Sequence, residues 1–288
     1  IVINSKIFFL GLKSLKSFDS PAIALGASFI AIGALLKNIG LVKTSSFDDL
    51  VTDSAAGGTA MATGKKTNNR AIGTDKDGKD LSNLTEILAK KGFLNGIMTT
   101  DFVTGATPSS FFAHVVERDD SESILEDLNK SKIDFFMAAG ARDFEKIKDN
   151  FIQEDFSDFN DLENRTAVFL SENTLADASV RGDQFPKYVK KALQNLERQD
   201  KPYFLMIEAA KIDKNGHTNN ASGIIEEMLD FDKTIAMYSE QGAEHFAGAV
   251  HEIGEAYYWR GYAYRGLGQI EEAERGVAKA RELGYEGS

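Results

Sequence analysis

The chain of 288 residues contains no cysteine, so no disulfide contributes to its stability. It has only four prolines and no segment rich in glycine and serine, which predicts that its parts join without long linkers. Basic residues are outnumbered, 33 to 44, and the net charge is −11. This charge disfavours a nucleic-acid partner, because binding a phosphate backbone needs clustered lysine and arginine. The missing cysteines do not decide the compartment, since many exported proteins also lack them.

An apolar run long enough to cross a membrane is also missing. Residues 22–36 form an apolar run of fifteen residues that contains Ser28, short of the ~20 that span a bilayer. The run starts late for a signal peptide, and no convincing small-residue cleavage site follows it, so no clear signal peptide is indicated. We predict a buried helix here, with a membrane or signal segment as the alternative.

Strand-like and helix-like segments alternate along the chain. The predicted strands are residues 7–12, 40–45, 94–100, 133–138, 166–170 and 203–208. The predicted helices are residues 55–63, 82–91, 121–131, 186–199 and 222–240. This order is typical of an α/β fold, with a largely parallel sheet and helices on both faces. Ligands in such folds bind beyond the carboxyl ends of the strands.

Residues 51–67 place a serine at the start of a helix made of small residues. Asp53 and Ser54 are residue types that cap helices, and residues 55–62 have the composition of a tightly packed helix. A helix N-terminus presents free N–H groups and the positive end of the helix dipole, so it favours an anion beside Ser54. Ser54 could then attack the phosphorus that it helps to bind. A plain capping role is the alternative.

A second group of candidate residues follows the predicted strand 203–208. Glu208 ends this strand, at the place where α/β sheets bind ligands. Asp213 and His217 are four residues apart, so on one helical turn they face the same way and could share a metal. Oxygen with imidazole suits zinc, whereas an oxygen-only set around Glu208 suits magnesium. The alternative is a turn-capping Asp213 and a surface His217.

Together these segments resemble the alkaline phosphatase family over roughly residues 38–235. The motifs that carry the resemblance are Asp53-Ser54-Ala55, then Thr104-Gly105-Ala106-Thr107-Pro108 with Ala113-His114-Val115 and Arg118, and finally the stretch 207–217. They occur in the order of the family. The resemblance implies an alkaline-phosphatase-like fold and the hydrolysis of phosphate monoesters through a phosphoserine intermediate.

The resemblance implies catalytic roles for two residues. Ser54 matches the serine that becomes phosphorylated, and Arg118 matches the arginine that binds the phosphate, whose planar fork can bond two oxygens at once. The substrates implied are small phosphate monoesters, and the location implied is periplasmic or extracellular. A homodimer is left open.

The resemblance also implies zinc and magnesium as cofactors, with an incomplete set of ligands. Asp213 and His217 match ligands of the first zinc, and Thr107 and Glu208 match magnesium ligands. The early Gly-Asp-Gly-Met-Gly type of motif is missing, Gly105 stands where the family often has a histidine or aspartate, and no later Asp-His pair occurs in these residues. Because catalytic zinc normally takes three protein ligands, the alternative function is a catalytically impaired remnant or chimera that acts as a scaffold.

The end of the chain resembles a single tetratricopeptide repeat. We predict a phosphatase-like core at 1–240, whose first 37 residues diverge, and a helical tail at 241–288. Small residues such as Gly268 suit a helical hairpin over about 244–285, and a simple amphipathic hairpin is the alternative. One repeat cannot bury its own apolar face, so a protein partner for this tail is left open.

Overall fold

The computed structural model describes residues 2–3, 6–7, 44–154, 156–157, 159, 164–241 and 270–282. These residues fall into two compact units. The first contains residues 44–238 and the two short strands near the start of the chain, and the second contains the helix at 270–282. The division of the chain into a core at 1–240 and a tail at 241–288 stays a prediction.

The first unit is built on a parallel sheet of five strands. Near the start of the chain, β1 (Val2–Ile3) and β2 (Lys6–Ile7) form a separate antiparallel ladder. The strands of the main sheet are β3 (Leu94–Phe102), β4 (Phe135–Ala139), β5 (Ile152–Glu154), β6 (Thr166–Ser171) and β7 (Tyr203–Glu208). Their order is β5-β6-β4-β3-β7, and every pair is parallel. The predicted parallel sheet is confirmed.

Helices connect the strands. In chain order they are α1 (Ser54–Thr63), α2 (Leu84–Ala89), α3 (Ala106–Ser109), α4 (Ser121–Lys130), α5 (Ala178–Arg181), α6 (Gln184–Arg198), α7 (Lys211–His217), α8 (Ala221–Gln241) and α9 (Ile270–Glu282). A 3₁₀ helix covers Ala141–Lys146. Helices α4 and α6 each turn an apolar stripe to the sheet, as a period of 3.6 residues allows.

The sheet has a core on each face. Phe136 of β4 packs into one apolar cluster, whereas its neighbours Phe135 and Met137 pack into the other, because successive side chains of a strand point to opposite faces. Helix α4 covers the first cluster through Ile124, and α6 covers the second through Val189. The prediction of helices on both faces of the sheet is therefore confirmed.

Two of the predicted strands are described only in part. Of the predicted strand 40–45, only residues 44 and 45 are described, and they form a loop that leads into a local turn of Ser46 with Asp48 and Asp49. Of the predicted strand 7–12, only the first residue is described.

Two further predictions fall wholly or largely outside the described residues. These are the buried helix at 22–36 and the helical hairpin at 244–285, of which only α9 is described. None of the helices in the described parts of the chain is long and apolar enough to span a membrane.

Candidate active site

Helix α1 begins at Ser54, as predicted. Asp53 is the N-cap, with extended backbone angles of φ −91° and ψ 179°, and its Oδ1 accepts the N–H of Ala56 at 2.9 Å. Gly64 ends the helix in the left-handed region, at φ 73°. Ser54 is therefore the first helical residue, where backbone N–H groups and the positive end of the dipole favour an anion.

Small side chains let α1 pack closely against α3. A Cβ atom added to Gly58 would lie 2.6 Å from Oγ of Ser110 and 3.4 Å from Cα of Thr107. The hydroxyl of Ser110 also lies 3.4 Å from the carbonyl oxygen of Ala55. A side chain at position 58 would crowd Ser110, and the absence of one lets Thr107 of α3 lie close to α1.

We expect Gly58→Ala to lower the free energy of unfolding by ~1–3 kcal/mol, since its methyl group overpacks against Ser110. Gly57→Ala is the matched control, because a Cβ atom there meets only Thr52, at 3.8 Å. The free energy of unfolding of the control should rise by up to ~1 kcal/mol, since alanine favours a helix more than glycine does. Urea unfolding of both variants measures the difference, and equal effects at the two positions would contradict the contact.

A cleft of about 250 Å³ opens between the start of α1, the turn before α3, the end of β7 and helix α7. All six residues that the sequence analysis selected line this cleft: Ser54, Thr107, Arg118, Glu208, Asp213 and His217. They come from four separate segments of the chain. The parallel order of β3 and β7 brings these segments to the same edge of the sheet.

Arg118 lies at the cleft beside the start of α1. Its Nη1 donates to Oδ2 of Asp53 at 3.1 Å, and about a quarter of its side chain is exposed. Asp53 is itself held by Asn69, whose Oδ1 accepts the Asp53 N–H at 2.9 Å and whose Nδ2 donates to the carbonyl of Val51 at 2.9 Å. The arginine thus has a fixed partner and still faces the cleft.

Glu208 lies partly buried at the end of β7, beside β3. The hydroxyl of Thr99 donates to its Oε2 at 2.7 Å. Burial raises the pKa of Glu208 to about 7, against the hydrogen bonds from Thr99 and Thr107, which lower it. The charge of Asp101 adds to the rise, and the charge of Lys214 opposes it. At neutral pH this carboxyl group is close to its midpoint of protonation.

We expect the stability of the chain to fall as the pH rises from 4.5 to about 7, in buffer that contains a chelator and no divalent cation. Because the pKa of Glu208 rises from 4.5 to about 7 on folding, the folded chain binds the extra proton in this window. The contribution of this proton is fully present below pH 4.5 and is lost as the pH rises through 7, by roughly 3 kcal/mol at most.

Glu208→Gln should flatten this part of the pH profile, because glutamine keeps the shape of the side chain without the titration. Urea unfolding at a series of pH values measures the effect. Exposed Glu172→Gln serves as the control and should follow the wild-type curve. A Glu208→Gln profile as steep as that of the wild type would contradict the raised pKa.

Asp213 and His217 face each other one turn apart on α7. Their Oδ2 and Nε2 atoms are 3.4 Å apart, with 35% of the aspartate and 67% of the histidine side chain exposed. Within the described parts of the chain, no group of three or more histidine, aspartate or glutamate side chains is arranged to hold a metal. His114 is engaged elsewhere, with Nε2 3.0 Å from the carbonyl oxygen of Leu81. Among the residues that the structure describes, the cleft therefore offers zinc two donors, one fewer than catalytic zinc normally takes.

The family model for alkaline phosphatase matches residues 33–164 and 177–251. The chain belongs to the alkaline phosphatase family. Alkaline phosphatase 3 of Bacillus subtilis (strain 168) is 30% identical over 203 residues, which cover 64% of this chain and 44% of that protein. The chain thus spans less than half the length of this curated relative.

Solved structures of alkaline phosphatases have the same fold. The enzyme from the Antarctic bacterium TAB5 superposes with a TM-score of 0.70 at 30% identity, covering 82% of this chain and 74% of that one. A mutant of the TAB5 enzyme, with Mg bound in its M3 site, gives the same score and identity over 82% and 73% of the two chains. The alkaline phosphatase fold of the described sheet and helices follows from these matches.

Two charged residues of the cleft were not predicted from the sequence. Lys214 of α7 forms an ion pair with Asp101 of β3, and both line the cleft. Oδ2 of Asp101 lies 3.4 Å from the position of a Cβ atom added to Gly105. Asp101 therefore fills the space beside the glycine. The position of Asp101 at the end of a buried strand is the signal that could have found it.

Proposed function

We propose that the chain binds phosphate monoesters in this cleft and transfers their phosphoryl group to Ser54. The observation that carries the proposal is the position of Ser54 at the first turn of α1, in one cleft with Arg118. Relatives named alkaline phosphatases support the same class of substrate. The reaction needs a nucleophile and a group that binds the phosphate, which Ser54 and Arg118 supply. It also needs a path for the leaving alcohol, which the opening of the cleft to solvent provides.

The reaction proceeds in two steps. The Oγ–P bond of phosphoserine 54 forms while the ester P–O bond breaks, and the hydroxyl proton of the serine ends on the leaving alcohol. Water then attacks the same phosphorus, so that free phosphate leaves and the serine hydroxyl is restored. Arg118 binds two phosphate oxygens through its planar fork in both steps. With a net charge of −11, attraction of the anionic substrate is local to Arg118, Lys214 and the start of α1.

The oxygen donors around Glu208 fit magnesium. Glu208 and Thr107 supply a carboxylate and a hydroxyl, which are hard donors of the kind that this cation prefers, and the TAB5 mutant with Mg bound supports the assignment. A cation held there would offset the negative charge of the substrate. Asp213 and His217 would hold zinc as a pair, but two described donors do not make a catalytic zinc site, so no step is assigned to zinc.

Trapping of the phosphoserine tests the proposal. The chain is incubated with p-nitrophenyl phosphate, quenched in acid and digested with a protease. The mass of the peptide that contains Ser54 is then measured by mass spectrometry. We expect the mass of one phosphoryl group on this peptide and none in Ser54→Ala. Thr63→Ala removes a hydroxyl from the other end of α1 and should leave the phosphorylation unchanged. Labelling elsewhere, or labelling that survives Ser54→Ala, would contradict the proposal.

A second candidate function is a scaffold that binds phosphate esters without turning them over. It is favoured by the described residues of the cleft, which offer zinc two donors where a catalytic site normally has three. The two functions differ in one measurement, since the scaffold binds inorganic phosphate but neither labels Ser54 nor releases alcohol. A homodimer, a partner for the tail and a periplasmic or extracellular location stay predictions.

A further inference from the structure

Arg118 stands between two acidic neighbours in the sequence, Glu117 and Asp119. Carboxylates this close compete with a phosphate for the same guanidinium, because charge-assisted bonds to a carboxylate and to a phosphate use the same fork of N–H donors. An arginine that binds phosphate needs these neighbours to be occupied elsewhere.

Arg70 occupies both of them. Its Nε donates to Oε2 of Glu117 at 2.9 Å and its Nη2 to Oε1 at 2.5 Å, a bidentate pair, and the same Nη2 also contacts Oδ2 of Asp119. The N–H of Asp119 donates to Oε1 of Glu117 at 3.1 Å, which holds the two acidic residues together. The guanidinium of Arg118 bonds instead to Asp53.

The backbone brings Arg70 to this place. Ile72 and Val115 form an antiparallel bridge, with N–O distances of 2.8 and 2.9 Å, that aligns the segments before and after them. Arg70 has a φ of 73°, a left-handed conformation that residues with a side chain rarely adopt. Its N–H donates to Oδ2 of Asp53 at 3.2 Å, the oxygen that also accepts from Arg118. Arg70 thus binds Asp53, the partner of Arg118, through its backbone N–H. Its side chain binds Glu117 and Asp119, which would otherwise compete with phosphate for Arg118.

We propose that Arg70 is a positioning residue: it binds Glu117 and Asp119 and so leaves the guanidinium of Arg118 to Asp53 and to a phosphate group in the cleft. The inference rests on the proposed function for its ligand, inorganic phosphate or a phosphate ester.

A role in global stability does not explain the network. The side chains of Arg70, Glu117 and Asp119 are 49%, 47% and 75% exposed, and ion pairs this exposed contribute little to stability. The hydrogen bonds from Arg70 and from the N–H of Asp119, with smaller effects of the charges of Arg70 and Arg118, lower the pKa of Glu117 to about 2. Glu117 is therefore an anion at neutral pH and lies within electrostatic reach of Arg118. Without Arg70, this anion would bind Arg118 and repel phosphate.

The test compares four forms of the full chain with the wild type. They are Arg70→Ala, the pair Glu117→Gln with Asp119→Asn, the triple variant that combines all three changes, and Lys148→Ala. The last is the control, since it removes another half-exposed ion pair, to Glu145 at 2.7 Å, outside the cleft. Calorimetry measures the dissociation constant of inorganic phosphate, and peptide mass spectrometry measures the rate at which phenylglyoxal modifies Arg118.

We expect Arg70→Ala to raise the dissociation constant about tenfold and to slow the modification of Arg118, because the released carboxylates bind it. The double variant Glu117→Gln with Asp119→Asn should change the affinity for phosphate less than about twofold, since Arg70 already binds both residues. The triple variant should recover wild-type affinity and reactivity, and Lys148→Ala should change neither. This lack of additivity separates positioning from a general effect of charge, in which the acidic changes would have the same effect with and without Arg70.

Three results would overturn the inference. The first is an Arg70→Ala variant with wild-type phosphate affinity and Arg118 reactivity. The second is a triple variant whose affinity and reactivity are as low as those of Arg70→Ala. The third is that the effects of Arg70→Ala and of the acidic substitutions simply add. A wild-type chain that binds no phosphate would contradict the proposed function. The rates of Arg118 modification would then still decide the inference, because they need no phosphate.

Discussion

The chain, purified and supplied with zinc and magnesium, is expected to hydrolyse p-nitrophenyl phosphate several orders of magnitude more slowly than the TAB5 enzyme assayed beside it. The described cleft gives zinc two donors, Asp213 and His217, and the histidine is 67% exposed. A serine hydroxyl is a poor nucleophile at neutral pH without activation. Losing metal activation costs several kcal/mol of transition-state stabilisation, and each ~1.4 kcal/mol is tenfold in rate.

Metal analysis belongs with this assay. We expect less than one tightly bound zinc per chain after dialysis, because an exposed pair of donors holds the ion weakly. Ser54→Ala is the control, since it removes whatever activity belongs to this cleft. A preparation with a full zinc complement that turns over at about 10 per second, and loses this rate on Ser54→Ala, would contradict the expectation.

Four of the five strands of the central sheet were predicted, because each contains a short run of mainly apolar residues; β5, with only three residues, was not predicted. Strand β7 is an example, because five buried residues precede Glu208. This pattern can be recognised from the segment alone, without the rest of the chain. The start of α1 was equally local, since the capping residue Asp53 stands next to Ser54 in the sequence. Such signals predict where an element begins and ends, and hence where its functional side chains lie.

The short helices α3, α5 and α7 were not predicted. These three helices have four to seven residues each, too few to show a clear periodic pattern, and contacts from elsewhere in the chain stabilise them. The start of α7 is an example, because the N–H of Lys211 donates to the hydroxyl of Thr100, 111 residues away. A pattern of residues within one segment does not contain this information.

Long-range pairs within the cleft were missed for the same reason. Asp101 and Lys214 are 113 residues apart, and only the parallel pairing of β3 with β7 brings them together. Arg70 and Glu117 are 47 residues apart and meet because of the bridge between Ile72 and Val115. The sequence therefore predicted the residues that carry the chemistry better than the residues that position them.

Arg181→Met is expected to lower the free energy of unfolding by ~3–5 kcal/mol, a large part of the 5–15 kcal/mol that a folded domain has in total. Arg181 is 2% exposed and donates to Glu227 at 2.8 and 2.7 Å and to Asp230 at 2.5 Å. Both carboxylates are also buried, with side-chain exposures of 0% and 5%. Removing the guanidinium leaves two carboxyl groups in an apolar interior without a cation between them, and this costs far more than the pair contributes when intact.

The matched control is Lys233→Met, which removes an ion pair that is exposed to solvent. Lys233 also lies on α8 and pairs with Asp183 at 2.8 Å, but both side chains are almost half exposed. Its loss should change the free energy of unfolding by at most ~1 kcal/mol, because solvent already screens the pair. Urea unfolding of both variants at neutral pH measures the contrast.

A second variant separates the buried charge from the lost packing. Adding Glu227→Gln and Asp230→Asn to Arg181→Met removes the uncompensated carboxylates, so it should recover part of the loss. No recovery would mean that the methylene groups of Arg181 matter more than its charge, and a loss below ~1 kcal/mol in Arg181→Met itself would contradict the buried cluster. Since α8 begins four residues after His217, the same cluster also anchors the chain just beyond the end of α7.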